Sequence, residues 1–199
     1  MDITEKELNV LQDTDFLLTK STVLEKIYKL LEETRTKLIY SITNINFSFP
    51  EGTNIITGKI SRGENYKNLP YMILDYPTLF TNESSFAFRT MFWWGNFFSS
   101  TLHLEGIALD KYRNIFDENI DKLLNKNIFI GIGETPWEYH YGEDNYIPLT
   151  KDHSKHIGNC DFLKLSKKNS LSEWEKVPSF ASDFLDLMLS VLSSSQKDD

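Results

Sequence analysis

Arg89 is the first candidate functional residue, because the residues around it make a charged side chain costly. It lies between Ala87 and Met91 in the apolar segment FAFRTMFWW. A buried guanidinium needs a carboxylate or an anionic ligand, since an unpaired buried charge is strongly destabilising. Asp75, in the preceding apolar run, is the expected protein partner. A structural Arg–Asp pair is therefore the first interpretation, and an anion-binding role is the alternative.

His103 and Glu105 lie two positions apart, so a β-strand would place both side chains on one face. The polar strip that continues from them consists of Thr90, Ser99 and Thr101. Such a strip predicts a site for a small polar ligand, or acid–base catalysis with His103 and Glu105 as the catalytic candidates. The simpler alternative is a hydrogen-bonded histidine at a strand end, because neither a nucleophile nor a metal accompanies the pair. The predicted ligand-binding residues are Arg89, Thr90, Phe92, Ser99, Thr101 and His103.

Two further motifs are incomplete. His153, His156 and Cys160 have the spacing H-x2-H-x3-C, which could supply three metal ligands. Structural zinc sites normally add a second ligand pair, so we expect no metal here. The segment Gly131-Ile132-Gly133 follows a predicted strand but lacks the third glycine and the Lys-Ser/Thr of phosphate-binding loops. We therefore expect no cofactor.

The candidate residues are positioned by Phe86 to Glu105, two runs rich in aromatic and β-branched residues on either side of a Gly-Asn pair. Gly-Asn between such runs predicts a hairpin, because both residues tolerate positive φ. A two-residue turn places Trp94 opposite Phe97, and it puts Arg89 on the opposite face from His103. Both faces are mostly apolar, which indicates two central strands that are covered on both sides.

Helical periodicity predicts the elements that cover this hairpin. The first helix begins with a capping box of Thr22 and Glu25, and apolar residues then recur at three- and four-residue steps. The predicted helices span residues 22–43, 107–125 and 179–193, and a polar tail follows from Ser193 to Asp199. We predict one α+β domain over residues 1–199, in which these helices cover a mostly antiparallel sheet with the hairpin 86–105 at its centre.

Charge and composition narrow the class of function. The chain has 199 residues and a formal net charge of -8, and no short segment concentrates Lys and Arg, which disfavours nucleic-acid binding. No run of about 18 apolar residues occurs, so we expect no membrane span. The only cysteine and the acidic, polar first residues, which do not resemble a signal peptide, predict a cytoplasmic protein.

Two sequence stretches between Gly63 and Gly106, GENYKNLPYMILDYP and FRTMFWWGNFFSSTLHLEG, resemble a segment of an uncharacterised bacterial protein family of unknown function. The resemblance covers less than a third of the chain. It implies a bacterial cytoplasmic protein and assigns no activity and no site residues.

These observations favour a soluble binding domain, in which an aromatic-lined pocket takes a small ligand or the side chains of a partner. One alternative is an acidic interaction or immunity-type protein that masks a basic protein partner. The net charge and the acidic stretch from Glu134 to Asp144 motivate this alternative. The other alternative is an enzyme that uses His103 and Glu105 in acid–base chemistry.

Overall fold

Seven strands form one sheet in the computed structural model, which describes residues 2–193. The spatial order is β1-β2-β3-β4-β7-β5-β6, and every neighbouring pair is antiparallel. The strands are β1 (Lys59–Tyr66), β2 (Leu69–Phe80), β3 (Ser84–Trp93), β4 (Phe97–Gly106), β5 (Phe129–Gly131), β6 (Tyr146–Pro148) and β7 (Phe162–Ser170). The hairpin of β3 and β4 lies at the centre, and the predicted α+β class with a mostly antiparallel sheet is confirmed.

The helices are α1 (Glu5–Gln12), α2 (Thr14–Thr43), α3 (Ile107–Glu118), α4 (Ser154–Asn159) and α5 (Val177–Leu192). The predicted bounds of three helices need correction. The first begins at Thr14 rather than at residue 22, because Asp13 caps it by accepting a hydrogen bond from the Phe16 N–H at 2.8 Å. The second ends at Glu118 instead of residue 125, and a short 3-10 turn follows it. The third spans 177–192 rather than 179–193. Most of the predicted polar tail, residues 194–199, lies outside the described residues.

One face of the sheet carries the main apolar core. Phe88 on β3 packs its ring against Phe184 of α5, with 5.9 Å between the ring centroids. Leu31 of α2 and Leu109 of α3 are fully buried in the same cluster. Burial of one such side chain contributes about 1.5–3 kcal/mol to folding, so α2, α3 and α5 are held on this face by their apolar stripes. None of the helices within residues 2–193 is long and apolar enough to cross a membrane.

The turn of the central hairpin differs from the prediction. It holds three residues, Trp94 to Asn96, so that Trp93 rather than Trp94 pairs with Phe97. Gly95, with φ of +74°, supplies the left-handed conformation that this turn requires. Because side chains alternate along a strand, a shift of one residue changes which residues share a face. The predicted separation of Arg89 from His103 is therefore wrong, and both residues lie on the face away from the helices.

An irregular segment covers this second face. We call residues 134–145 the strap, because they cross the sheet between β5 and β6 without regular secondary structure. The ring of Tyr139 packs against Tyr66, and Tyr141 packs against Phe97, with centroids 6.0 and 5.0 Å apart. The predicted burial of both faces is thus confirmed, with helices on one side and the strap on the other.

Candidate functional site

Arg89 and Asp75 form the ion pair that the sequence predicted. They face each other on β3 and β2, and the guanidinium donates from Nε and Nη2 to the two carboxylate oxygens, at 2.6 and 2.8 Å. Arg89 also donates from Nη1 to the hydroxyl of Tyr139 in the strap. The guanidinium is thus satisfied by protein groups on two sides, and it joins the sheet to the strap.

Lys164 is a buried amine that sequence reasoning missed. It lies on β7 opposite His103 and is 1% exposed. Its Nζ atom donates to the carbonyl oxygen of Glu138 and lies 4.3 Å from the ring centroid of Tyr139 and 4.9 Å from that of Tyr146. Burial lowers the pKa of Lys164 to about 7, and the positive charge of Arg89 adds to this effect. Within residues 2–193 no carboxylate forms a salt bridge with this amine.

Thr101 belongs to a closed network of hydroxyl groups. Its Oγ1 lies 2.6 Å from Oγ of Ser166, which also lies 2.6 Å from the hydroxyl of Tyr141. Ser166 donates further to the Ser100 carbonyl oxygen at 3.2 Å. Thr101 is buried, as is its neighbour on the same face, Ser99. These two predicted ligand residues therefore lie in the interior beneath the strap, where Thr101 satisfies a buried hydroxyl group.

Two other predicted ligand residues lie on the opposite face of the sheet. Thr90 is fully buried among the helices, with its Oγ1 3.3 Å from Oγ of Ser100. Phe92 lines an apolar cavity of about 460 Å³, which Trp94 and Trp174 also line. The predicted polar strip that joined Thr90 to Ser99 is therefore wrong, because it depended on the two-residue turn. The six predicted residues do not form one site.

His103 is buried, but its ring is not fully hydrogen-bonded. It is 4% exposed, and its Nε2 atom has no hydrogen-bond partner among the described residues. The Oε2 atom of Glu105 lies 3.6 Å away, which is beyond hydrogen-bond distance. Burial lowers the pKa of His103 to about 3, with smaller contributions from the positive charges of Lys164 and Arg89. The imidazole is therefore neutral at physiological pH.

A cavity of about 410 Å³ is lined by two rings that pack against this histidine, although His103 itself does not line it. Phe80 and Trp137 line it with ring centroids 6.0 Å apart, and both rings pack against His103, at 6.2 and 5.9 Å. Its acidic lining residues are Glu83, Glu105 and Asp161. No Lys or Arg is among the described residues that line it. The cavity thus combines aromatic faces with carboxylates, and the Nε2 atom of His103 points to the carboxylate at its edge.

The histidines and the cysteine considered as metal ligands do not converge. The Nδ1 atom of His153 accepts from the N–H of Thr150 at 2.9 Å, and the Nε2 atom of His156 lies 3.2 Å from the Gly131 carbonyl oxygen. The thiol of Cys160 donates to the Ile157 carbonyl oxygen at 3.5 Å. Across residues 2–193, no group of three or more His, Cys, Asp or Glu side chains is arranged to hold a metal ion.

The remaining residues of the cavity could not be assigned from the sequence, because they come from separate segments. Phe80 ends β2, Trp137 lies in the strap and Asp161 precedes β7. The one signal in the sequence was the aromatic and acidic composition of the strap, which predicted a surface for a basic protein partner. Comparisons of the chain with protein-family models, with curated proteins and with solved structures found no match.

Proposed function

We propose that this protein is a binding domain that takes a cationic group, an ammonium or a guanidinium, in the cavity beside His103. Ring faces attract cations through their quadrupole, and carboxylates add charge-assisted hydrogen bonds. Phe80 and Trp137 supply the ring faces, and Glu105 supplies the nearest carboxylate. A volume of about 410 Å³ suits a small amine or one long basic side chain.

The unpartnered Nε2 atom of His103 is the observation that carries this proposal. A buried nitrogen without a partner costs about 1–3 kcal/mol, so a ligand donor beside it would relieve a penalty that the free protein carries. A donor nitrogen beside Nε2 and the Glu105 Oε2 atom, which are 3.6 Å apart, can lie about 2.9 Å from both. The neutral imidazole accepts this bond when its own proton is on Nδ1.

The low pKa of His103 supports a role in binding rather than in acid–base catalysis. A general base works best when its pKa lies near the ambient pH, and burial lowers the pKa of His103 to about 3. A histidine with so low a pKa is a permanent neutral hydrogen-bonding group. The catalytic role that the sequence suggested for His103 and Glu105 is therefore the weaker proposal.

The cationic group can come from two sources, a small amine or a basic side chain of a protein partner. The net charge of -8 favours approach of either one. We place this binding in the bacterial cytoplasm and without nucleic acid, because the chain has a single cysteine and an acidic balance.

Titration with matched probes tests the proposal. Butylammonium and ethylguanidinium are compared with neutral butanol, and a short lysine-containing peptide is compared with its acetylated form. Binding is followed by NMR of the His103 ring nitrogens and by tryptophan fluorescence. We expect only the cationic probes to bind, and we expect Glu105→Gln and Trp137→Ala each to weaken binding at least about tenfold. Tighter binding of the peptide than of the free amines would identify a protein partner as the source.

The matched control is Trp174→Ala, which removes an equally large ring from the cavity on the helix side. Binding of the cationic probes should not change in this variant. Equal binding of butanol and butylammonium would contradict the proposal, and so would the absence of any change at the His103 ring at millimolar probe concentrations.

A further inference from the structure

The N-terminal arm, residues 4–22, exposes apolar side chains that a soluble domain normally covers. It consists of α1 and the first part of α2, and none of its residues is buried. The exposed apolar residues are Leu8, Val10, Leu11, Phe16, Leu17 and Leu18. Such a concentration of large apolar side chains is typical of an interaction surface.

Two apolar rows of α2 continue from the body of the protein into the arm, one on either side of Lys20. Leu38 and Leu31 are fully buried against the sheet and α5, and seven-residue steps lead from them to Leu24 and Leu17. Leu24 is half-buried and Leu17 is 51% exposed, although the residue type is the same. A parallel row consists of Leu30, Val23 and Phe16. A stripe with this spacing is suited to a second helix, because seven-residue repeats align side chains along one seam.

An apolar cavity of about 460 Å³ lies at the base of the arm. Its lining includes Val23 and Ile27 of α2, the rings of Phe92 and Trp174, and Lys26 as its charged residue. The preceding part of the arm is acidic, because residues 2–15 contain five Asp and Glu and one Lys. One chain thus carries both a helical arm with apolar and acidic side chains and an apolar cavity with a basic residue at its edge. These two surfaces are complementary.

We propose that the arm binds a second copy of this chain and forms an antiparallel dimer with a two-fold axis near Lys20. Exposed Leu17 of one copy then packs against Leu24 of the other, and Phe16 packs against Val23. The same symmetry brings Asp13 and Asp15 of each copy close to Lys26 of the other. A two-fold dimer uses each contact twice, so that both arms and both cavities are covered together.

Sedimentation equilibrium of the full chain tests this arrangement. We expect a dimer whose population rises with concentration between about 10 and 500 µM. Leu17→Asp should weaken dimerisation at least about 30-fold, because it places a charge against an apolar side chain of the other copy. The melting temperature of the dilute monomer should not change, since Leu17 is exposed there. Tyr40→Asp is the matched control, on the same helix and 73% exposed at its other end, and it should leave the dimer intact.

Cysteine cross-linking tests the position of the axis. A residue at a two-fold axis lies next to its own copy, and a disulfide forms only when the two Cα atoms are within about 7 Å. In a Cys160→Ser background, Lys20→Cys should therefore form a disulfide-linked dimer on mild oxidation, whereas Tyr40→Cys should not. A wild-type chain that stays monomeric at about 500 µM overturns the proposal, and so does a dimer that Leu17→Asp leaves unchanged.

Discussion

The guanidinium of Arg89 lies opposite the carboxylate of Asp75 on the neighbouring strand and donates two hydrogen bonds to it, at 2.6 and 2.8 Å. Arg89 also holds the hydroxyl of Tyr139, so the ion pair ties the strap to the sheet. A buried pair of this kind is destabilising to break, because the remaining charge loses its partner in a poorly solvated place.

Arg89→Met should therefore lower the free energy of unfolding by about 3 kcal/mol, because the Asp75 carboxylate stays behind unpaired. Asp75→Asn should have a similar effect through the unpaired guanidinium. The double variant should lose less than the sum of the two single losses, which chemical denaturation can measure as a coupling energy. Strict additivity of the two losses would contradict the pairing.

The buried amine of Lys164 makes stability depend on pH. Its pKa is about 7 in the folded protein, whereas an unperturbed lysine has a pKa of 10.5. Between these values the unfolded chain binds more protons than the folded one, so stability should rise with pH, by a few kcal/mol at most. Urea denaturation from pH 7 to pH 9.5 should detect the rise.

Lys164→Met is the control for this pH dependence, because it removes the titrating amine and keeps a side chain of similar length. A stability rise that persists in this variant would show that another group causes it. Above about pH 10 stability should fall with rising pH in both proteins, since burial raises the pKa of Tyr66 and Tyr139 to about 12. These tyrosines contribute stability that is lost as the pH rises through their folded-state pKa.

His103 should remain neutral far into the acid range. Burial lowers its pKa to about 3, so NMR of its ring nitrogens should show no protonation above about pH 4. The unfolded chain binds this proton near pH 6.5, so the contribution of His103 to stability should fall as the pH drops from 6.5 towards 3. Protonation at or above pH 6 would mean that the ring is not buried beneath Phe80 and Trp137.

Gly106 should be the most sensitive glycine near the cavity. Its φ is +58°, and a Cβ atom there would lie 2.0 Å from the carbonyl oxygen of Glu83. Gly106→Ala should therefore lower stability by more than about 3 kcal/mol, since backbone strain and a clash with main-chain atoms combine. Gly95→Ala is the matched control, because its φ of +74° is similar and no atom of residues 2–193 lies within 4 Å of the added Cβ.

Thermal and urea denaturation can compare these two variants directly. Gly95→Ala should lose only about 1 kcal/mol, the usual cost of a left-handed conformation for a residue with a Cβ atom. Equal losses in both variants would indicate that the start of α3 can move away from Glu83.

The hydroxyl of Tyr66 should control the local stability of the strap. It accepts hydrogen bonds from the N–H groups of Tyr139 and His140, at 2.7 and 3.0 Å, and donates to Glu138 at 2.8 Å. Tyr66→Phe leaves the two amides without this acceptor, so we expect a loss of about 1–3 kcal/mol and faster hydrogen exchange of both amides. Tyr40→Phe, at an exposed tyrosine, should change neither quantity.

The sequence by itself determined the architecture of this protein. Alternating and three- to four-residue periodicities depend only on local geometry, so the central hairpin and the helices that cover it could be predicted. The helix bounds were less accurate, because the end of a helix depends on single capping residues such as Asp13. The pairing of Arg89 with Asp75 was also predictable, since an arginine among apolar neighbours requires a carboxylate or an anion.

Only the tertiary structure decided which side chains share a face of the sheet and which residues line the cavity. A turn of three residues instead of two placed Arg89 and His103 on the same face, because side chains alternate with a period of two and one residue reverses the assignment. The burial of Lys164 depends on the strap, which has no periodic pattern that could reveal its path. Phe80, Trp137 and Asp161 come from three distant segments, and only the packing of the whole chain brings them together around one cavity.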